Sequence, residues 1–353
     1  MADHSAYRTI GFVLTVVIFS AATFYALVVF WPLPPRDDPV KIEVAKGSSV
    51  QEIARLLKSE GVVDNPDAFV LATQLMGYER SIQAGVFSVG PARSNFAVIH
   101  QLVNGTPVIH RITIHEGSTL EQIAALLQGR LGLESEEFLA LCSDSRFIRS
   151  LQLDVPSLEG FLYPETYHFY EGQSGKDILK IMVDQFREIY DDSLRHRAGE
   201  LEMTELEVVT LASIIEGEAI YDSERPIISA VYHNRLKKGM KLQADPTIQY
   251  LIKGGARRIL NRDLEIDSPY NTYLYHGLPP GPINSPGRES IVAALYPADV
   301  DYLYFVANGD GYHTFSRTEK EHLRAKRKFQ KYRRSLKKTA RSPTDLVERK
   351  EER

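Results

Sequence analysis

Apolar positions along the chain fall into three regimes. From Ile10 to Trp31 the sequence reads IGFVLTVVIFSAATFYALVVFW, with no charged residue. At about 1.5 Å per helical residue such a run spans a hydrocarbon core of roughly 30 Å. Pro32-Leu33-Pro34-Pro35 then stops the helix, because proline supplies no amide donor. The pattern predicts a transmembrane helix over 10–31, preceded by a short tail (1–9) and followed by a Pro- and Asp-rich linker (32–40). A cleavable signal sequence would carry an apolar run of about 7–15 residues and then small residues. Bulky Phe30 and Trp31 occupy that place, which favours a retained anchor. Charge does not orient the helix, since Arg8 is the one basic residue of the tail and Arg36 and Lys41 are offset by Asp37 and Asp38.

Beyond the linker the pattern changes to short alternating stretches followed by helical spacing, and it occurs twice. Residues 42–57 (IEVAKGSSVQEIARLL) match residues 112–127 (ITIHEGSTLEQIAALL). Each copy reads as a strand, a Gly-Ser turn and an amphipathic helix, with Ser48 and Ser118 as expected N-caps. Ala84-Gly85-Val86-Phe87 reads as a strand between them. The two copies are assigned to one β-α module over 41–130, whose strand–Gly-Ser–helix pattern resembles LysM-like glycan-binding modules. A purely structural role for the repeat is the competing reading.

The third regime, 131–325, is mainly helical. Residues 134–200 read as helix, loop, helix, broken by Leu158-Glu159-Gly160-Phe161-Leu162-Tyr163-Pro164-Glu165-Thr166-Tyr167. Two further helices follow, one opened by Thr204-Glu205-Leu206-Glu207 and one closed by Gly239. Residues 326–353 form a charged tail, and the Lys- and Arg-rich stretch Arg324 to Arg341 reads as a solvated helix face. The fold class expected is α+β: an N-terminal transmembrane helix, the repeat module, and a mainly helical catalytic domain with some strands.

Composition narrows the function. A net charge of −4 provides no global field for nucleic acid, which is therefore excluded as a partner. The single cysteine, Cys142, excludes an internal disulfide and a cysteine-based metal cluster. No His-Glu-x-x-His, phosphate-binding Gly-Lys-Ser/Thr loop or Gly-x-Ser-x-Gly elbow is present, and the ten histidines lack ligand spacing apart from His313 and His322, nine residues apart. Neither a metal nor another cofactor is expected.

Carboxylates remain. The helix Val208–Glu218 is apolar nearly all round and should be buried. Glu216 near its end must then either pair with a cation such as Arg225 or Arg235, or stay protonated through desolvation. A protonated glutamate is what cleavage of a glycosidic bond requires of a general acid. Glu218, two residues on, points roughly 200° away on a continuous helix, next to the Tyr221-Asp222-Ser223 turn and within reach of Arg225. Further along, the Pro/Gly-dense segment Gly277–Gly287 is suited to forming a stiff cleft wall. Tyr and Asn side chains nearby offer flat faces and amide hydrogen bonds for sugar rings.

The ordered series Glu159–Tyr167, Ala212-Ser213-Ile214-Ile215-Glu216, Asn234-Arg235-Leu236, Leu242-Gln243-Ala244-Asp245-Pro246-Thr247, Tyr270-Asn271-Thr272-Tyr273, Gly277-Leu278-Pro279-Pro280 and Tyr304-Phe305-Val306-Ala307 resembles the MltG (YceG-like) family of endolytic murein transglycosylases over roughly residues 40–325. Gly217 departs from the larger polar residue many relatives carry. The resemblance implies a catalytic Glu216, with Gln243, Asp245, Asn271 and Tyr273 as candidates for positioning the sugar. It further implies endolytic cleavage of the MurNAc–GlcNAc β-1,4 bond of nascent peptidoglycan, with 1,6-anhydroMurNAc formation that terminates strand elongation. On this reading the tail 1–9 is cytoplasmic, the catalytic domain lies on the periplasmic side of the inner membrane, and peptidoglycan synthases are candidate partners. Two other readings stay open: a lysozyme-type hydrolase using water and a second carboxylate such as Glu218 or Asp245, and a non-enzymatic glycan-binding scaffold.

Overall fold

The computed structural model describes residues 4–45, 47–105, 108–252 and 257–341. Lys46 of the first repeat copy and residues 342–353 of the charged tail lie outside the described residues. The chain divides into two compact units, 1–112 with 167–174, and 113–166 with 175–353.

The first unit begins with helix α1 (His4–Val29). Within it Tyr7–Val29 is long and apolar enough to cross a membrane, and most of that stretch is uncovered by other parts of the chain. The helix ends two residues before Trp31, since residues preceding Pro32 are driven out of helical geometry and Pro32 enters an extended bridge with Ser94. Strand β1 (Val40–Val44) pairs antiparallel with β2 (Gly85–Val89), with Ile42 opposite Phe87. Helices α2 (Val50–Ser59), α3 (Pro66–Leu75) and α4 (Asn95–Asn104) complete one apolar core around Ile42, Leu57, Phe69, Val98 and Leu102, all fully buried. Each such side chain contributes roughly 1.5–3 kcal/mol by leaving water. The core also holds the end of α1, where Val29 is buried and the Asn95 amide donates to the carbonyl of Val28 at 3.2 Å.

Strands β3 (Ile109–Thr113) and β4 (Thr166–Tyr170) form a second two-stranded sheet. The boundary between the units falls inside these strands. The two repeat copies therefore recur as separate β-α pieces, β1 pairing with β2 and β3 with β4. Each copy is also capped one residue later than expected. Ser49 and Thr119 are the N-caps, because the reciprocal partners Glu52 and Gln122 stand three residues after them and close a capping box. Ser118 instead turns its hydroxyl to the carbonyl of His115 at 2.6 Å.

The second unit is helical: α5 (Leu120–Leu131), α6 (Ser135–Cys142), α7 (Ser145–Ser150), α8 (Gly175–Ile189), α9 (Asp192–Glu200), α10 (Glu205–Glu218), α11 (Arg225–Lys237), α12 (Asp245–Leu251) and α13 (Arg288–Leu295). Strands β5 (Tyr304–Ala307) and β6 (His313–Ser316) form a hairpin, and α14 (Glu319–Arg341) follows it. The molecule is thus α+β, mostly helical, with small sheets. Conserving the spacing of α11 and the hairpin falls to polar side chains, the buried Arg235 and the half-buried Asn234. Arg235 donates to the carbonyls of Leu303 and Leu242, both at 2.7 Å, and Asn234 to those of Val300 and Tyr302.

Candidate active site

Helix α10 carries the site because its middle can only be buried. Thr204 and Glu207 close a capping box at its start, and every residue from Val208 to Ile215 is inaccessible to solvent or nearly so. Inside this apolar rod Ser213 has a specific task. Its hydroxyl accepts the amide of Ile283 at 3.1 Å and its carbonyl accepts the side-chain amide of Asn284 at 3.0 Å. The Pro/Gly-dense segment is thereby fixed against α10. The helix runs unbroken through Gly217 to Glu218. Glycine is required at 217 because a Cβ there would lie 2.6 Å from that of Pro246, at the start of α12.

Of the two alternatives left open for Glu216, the structure shows pairing with a cation, and the cation is Arg225. The 3₁₀ turn Asp222–Glu224 brings the chain back, so that Arg225 at the start of α11 faces the end of α10. Arg225 Nη2 donates to Glu216 Oε1 at 3.2 Å, and Nη1 lies 3.1 Å from Oε2. Both side chains are nearly enclosed, at 6% and 7% exposure. Ser290 Oγ and the amide of Gly287 donate to Oε2 at 2.8 and 3.0 Å. The same Ser290 hydroxyl accepts from Arg225, and Asp222 takes the Arg225 Nε at 2.9 Å. Arg225 does not pair with Glu218. That carboxylate instead accepts the Tyr232 hydroxyl at 2.8 Å, and burial together with the negative Asp245 pushes its pKa up to about 7.

A second carboxylate approaches Glu216 from the second repeat copy. Gly117 lies beside Glu216, a Cβ there falling 3.9 Å from Glu216 Cγ. Glu116 precedes it, and its carboxylate occupies the space a Cβ on Gly287 would need. Partial burial and the charge of Glu216 raise the pKa of Glu116. Sequence reasoning passed over Glu116 and Ser290, and took Gly287 only as the end of a cleft-wall segment. A signal for Glu116 existed: it is where the second copy replaces Lys46 of the first with the opposite charge.

Gly117 and Gly217 line a cleft of about 1230 Å³, together with Glu121, Gln122, Glu218, Asp245, Gln249, Tyr250 and Asn284. That exceeds the roughly 300–1,000 Å³ of small-molecule pockets and suits a length of polymer. Arg333 of α14, itself exposed, also lines this cleft. Asp245 lies on the cleft wall and accepts the Tyr273 hydroxyl at 2.5 Å. Gln243, two residues earlier, is exposed and held at φ +50°, a left-handed conformation costly for a residue with a side chain. Its amide is anchored on the carbonyl of Thr272. Asn271 is different. It is fully buried, its amide group donates to the carbonyls of Leu264 and Ile266, and its oxygen accepts the amide of Tyr273. With its hydrogen bonds used internally it shapes the loop that presents Tyr273, which corrects its assignment as a sugar contact.

Among the described residues no group of His, Cys, Asp and Glu is arranged to hold a metal. The model of the YceG-like family matches residues 42–328. The chain is 37% identical to an endolytic murein transglycosylase of Bacillus subtilis, over 82% of this chain and 84% of the relative. It is 30% identical to an endolytic murein transglycosylase of Streptococcus pneumoniae, over 87% of this chain but 62% of that longer protein. A crystal structure of a YceG-like protein from Listeria monocytogenes aligns with TM-score 0.57 and 33% identity, covering 82% of this chain and 99% of that one.

Proposed function

Because the chain belongs to the YceG-like family, we propose that it is an endolytic peptidoglycan lytic transglycosylase, held at the membrane by α1 and working through Glu216. One observation carries the reading: the glutamate of the family motif lies in the last turn of a buried helix, next to Gly217 on the wall of a polymer-sized cleft, with its carboxylate fixed by Arg225, Ser290 and Gly287. The relatives named endolytic murein transglycosylases support the reaction class.

The bond cleaved is the MurNAc–GlcNAc β-1,4 link. A proton reaches the leaving oxygen through Glu216 as the C1–O4 bond breaks, and positive charge develops at C1 and the ring oxygen. The Glu216 carboxylate then removes the proton of the substrate's own C6 hydroxyl, whose oxygen closes on C1. Because this nucleophile is intramolecular, high effective molarity replaces an activated water. Asp245 on the cleft wall, Tyr273 bonded to it and Gln243 two residues before it are the candidates for positioning the sugar, and cutting nascent strands would end their elongation, placing the enzyme beside peptidoglycan synthases.

Two results test this reading. Products from purified glycan strands should end in 1,6-anhydroMurNAc. Reducing ends about 18 mass units heavier would mean that water is the acceptor, as in a lysozyme-type pair of carboxylates. For topology, a reporter active only in the cytoplasm and fused after residue 353 should stay silent, since the substrate lies outside the cytoplasmic membrane. A strong signal would remove both the proposed orientation and the access to substrate.

A further inference from the structure

Glu216 takes its cation from a segment that is itself held from outside. Arg225 follows the 3₁₀ turn between α10 and α11, and Asp222 of that turn accepts its Nε. An arginine side chain has many rotamers, so where its guanidinium sits depends on what fixes its backbone. Here that is the tip of the β5–β6 hairpin, 89 positions further along the chain.

The tip grips both ends of the turn. Glu224, the residue before Arg225, stands at the N-cap of α11, where a side-chain oxygen ordinarily takes an amide of the first helical turn. It makes no such bond. Its carboxylate turns to His313 instead: Oε1 accepts the backbone amide at 2.9 Å, and Oε2 shares a hydrogen bond with the ring Nδ1 at 2.8 Å. Both side chains are nearly enclosed, at 8% and 10% exposure. Among the described residues no other side chain bonds to that carboxylate. At the other end of the turn, Tyr221 stacks on Tyr312 with ring centroids 4.1 Å apart. Its hydroxyl donates to the carbonyl of Asp310 at 3.3 Å. Gly311 lies beneath that ring, at φ +94°, where a Cβ would come within 2.8 Å of it. The tip is firm in its own right. His313 pairs with Ala307 across the hairpin, and Phe305 meets its ring edge-on at 5.2 Å. The two histidines spaced nine apart thus have separate uses, since His322 stacks on Tyr304.

We propose that the hairpin tip is a clamp for Arg225, with Glu224 and His313, aided by Tyr221 and Tyr312, as positioning residues that hold the guanidinium against Glu216. This rests on the transglycosylase reading, because the clamp matters to turnover only if the placement of the Glu216 carboxylate does. The four residues act through the turn. The bonds to the carboxylate itself come from Arg225, Ser290 and Gly287.

The test uses the full-length chain on purified glycan strands, with kcat and KM read from the release of anhydro ends. A second readout is the NMR signal of the Arg225 Nε–H, which is bonded to Asp222 and should exchange slowly with water in the wild type. His313→Leu removes the ring nitrogen and leaves Glu224 Oε2 without its partner. It should lower kcat on the order of 10- to 100-fold, as expected where a group near the chemistry is displaced by about 1 Å. KM should change by no more than a factor of about two. In the same variant the Arg225 Nε–H should exchange fast. His313→Asn, whose side-chain amide donates to the same oxygen, should recover part of both. Tyr312→Ala removes an exposed ring, so it decides the matter if His313→Leu fails to fold; it should lose both readouts to a smaller degree. Wild-type kcat in the folded variants overturns the proposal. So does a slow variant whose Arg225 Nε–H stays protected, because its loss would not run through Arg225. Failure of the underlying reading looks different: the wild type would release no anhydro ends, while the Arg225 signal would still respond to His313→Leu.

Discussion

Glu216→Gln abolishes glycan cleavage while the protein stays folded. Glutamine preserves the shape and can still accept from Gly287 and Ser290, but it cannot release and retake a proton. The loss should be at least 10²–10⁴-fold in kcat, the usual contribution of a general acid–base. Removing the anion also leaves Arg225 without its main partner in an enclosed site, which costs on the order of 3–5 kcal/mol where a buried pair is broken on one side. Asp222 remains bonded to Arg225 and lessens that cost. Glu218→Gln is the comparison. Its pKa is raised to about 7, so by titration alone it is the more obvious acid at neutral pH. Its geometry argues otherwise. Glu218 is held by Tyr232, whereas Glu216 meets the second repeat copy, Gly287 and Arg225. Glu218→Gln should therefore lose about tenfold or less, consistent with a residue that shapes the cleft rather than moves a proton. An inactive Glu218→Gln beside an active Glu216→Gln would reverse the assignment.

What the sequence disclosed follows the range of the interactions concerned. Helix α10 was legible from its capping box and apolar circumference, and β2 from a short apolar run, because both depend on residues a few positions apart. The N-caps were misplaced by one residue although the information was local. Two hydroxyl residues stand side by side, and only the partner three residues on, Glu52 or Gln122, separates them. Glu216 was identified by motif, but its partnership with Arg225 was left as one of two outcomes, since the return of the chain through the 3₁₀ turn sets which cation arrives. Asn271 looked like a sugar ligand because its residue type is suitable; its amide is used three times within its own loop. Glu116 lies 100 positions before Glu216, and nothing along the chain joins them. The space above Gly287 does.

Raising the pH from 5 to 8 should weaken the second unit, and Glu159 should account for much of the effect. This residue is 4% exposed, sits among Leu158, Phe161 and Leu162, and directs both carboxylate oxygens to the amide of Leu120 at the start of α5. Capping a helix N-terminus favours the anion. Burial outweighs it here, aided by the negative charge of Glu121, and the pKa rises from 4.5 to about 8. Cys142, Tyr250 and Tyr270, whose own ionisation it opposes, surround it without supplying a positive charge. Below the unfolded pKa both states hold the proton and Glu159 has no pH-dependent effect. Between that value and about 8 the folded state keeps a proton that the unfolded state has released, so stability falls as pH rises, by at most about 1.4 kcal/mol per pH unit. Across the window the loss should be on the order of a few kcal/mol. Glu116, Glu205 and Glu218 are also raised and add slopes of the same sign, so the contribution of Glu159 is the difference between wild type and Glu159→Gln. Glutamine still accepts from Leu120 but does not titrate. Hydrogen exchange of the α5 and α8 amides at pH 5 and 8, corrected for intrinsic rates, reads the second unit directly. Protection should drop with pH in wild type and much less in the variant. Equal drops in both would mean that Glu159 is ionised in the folded protein, with the amide of Leu120 strong enough to hold its charge away from water.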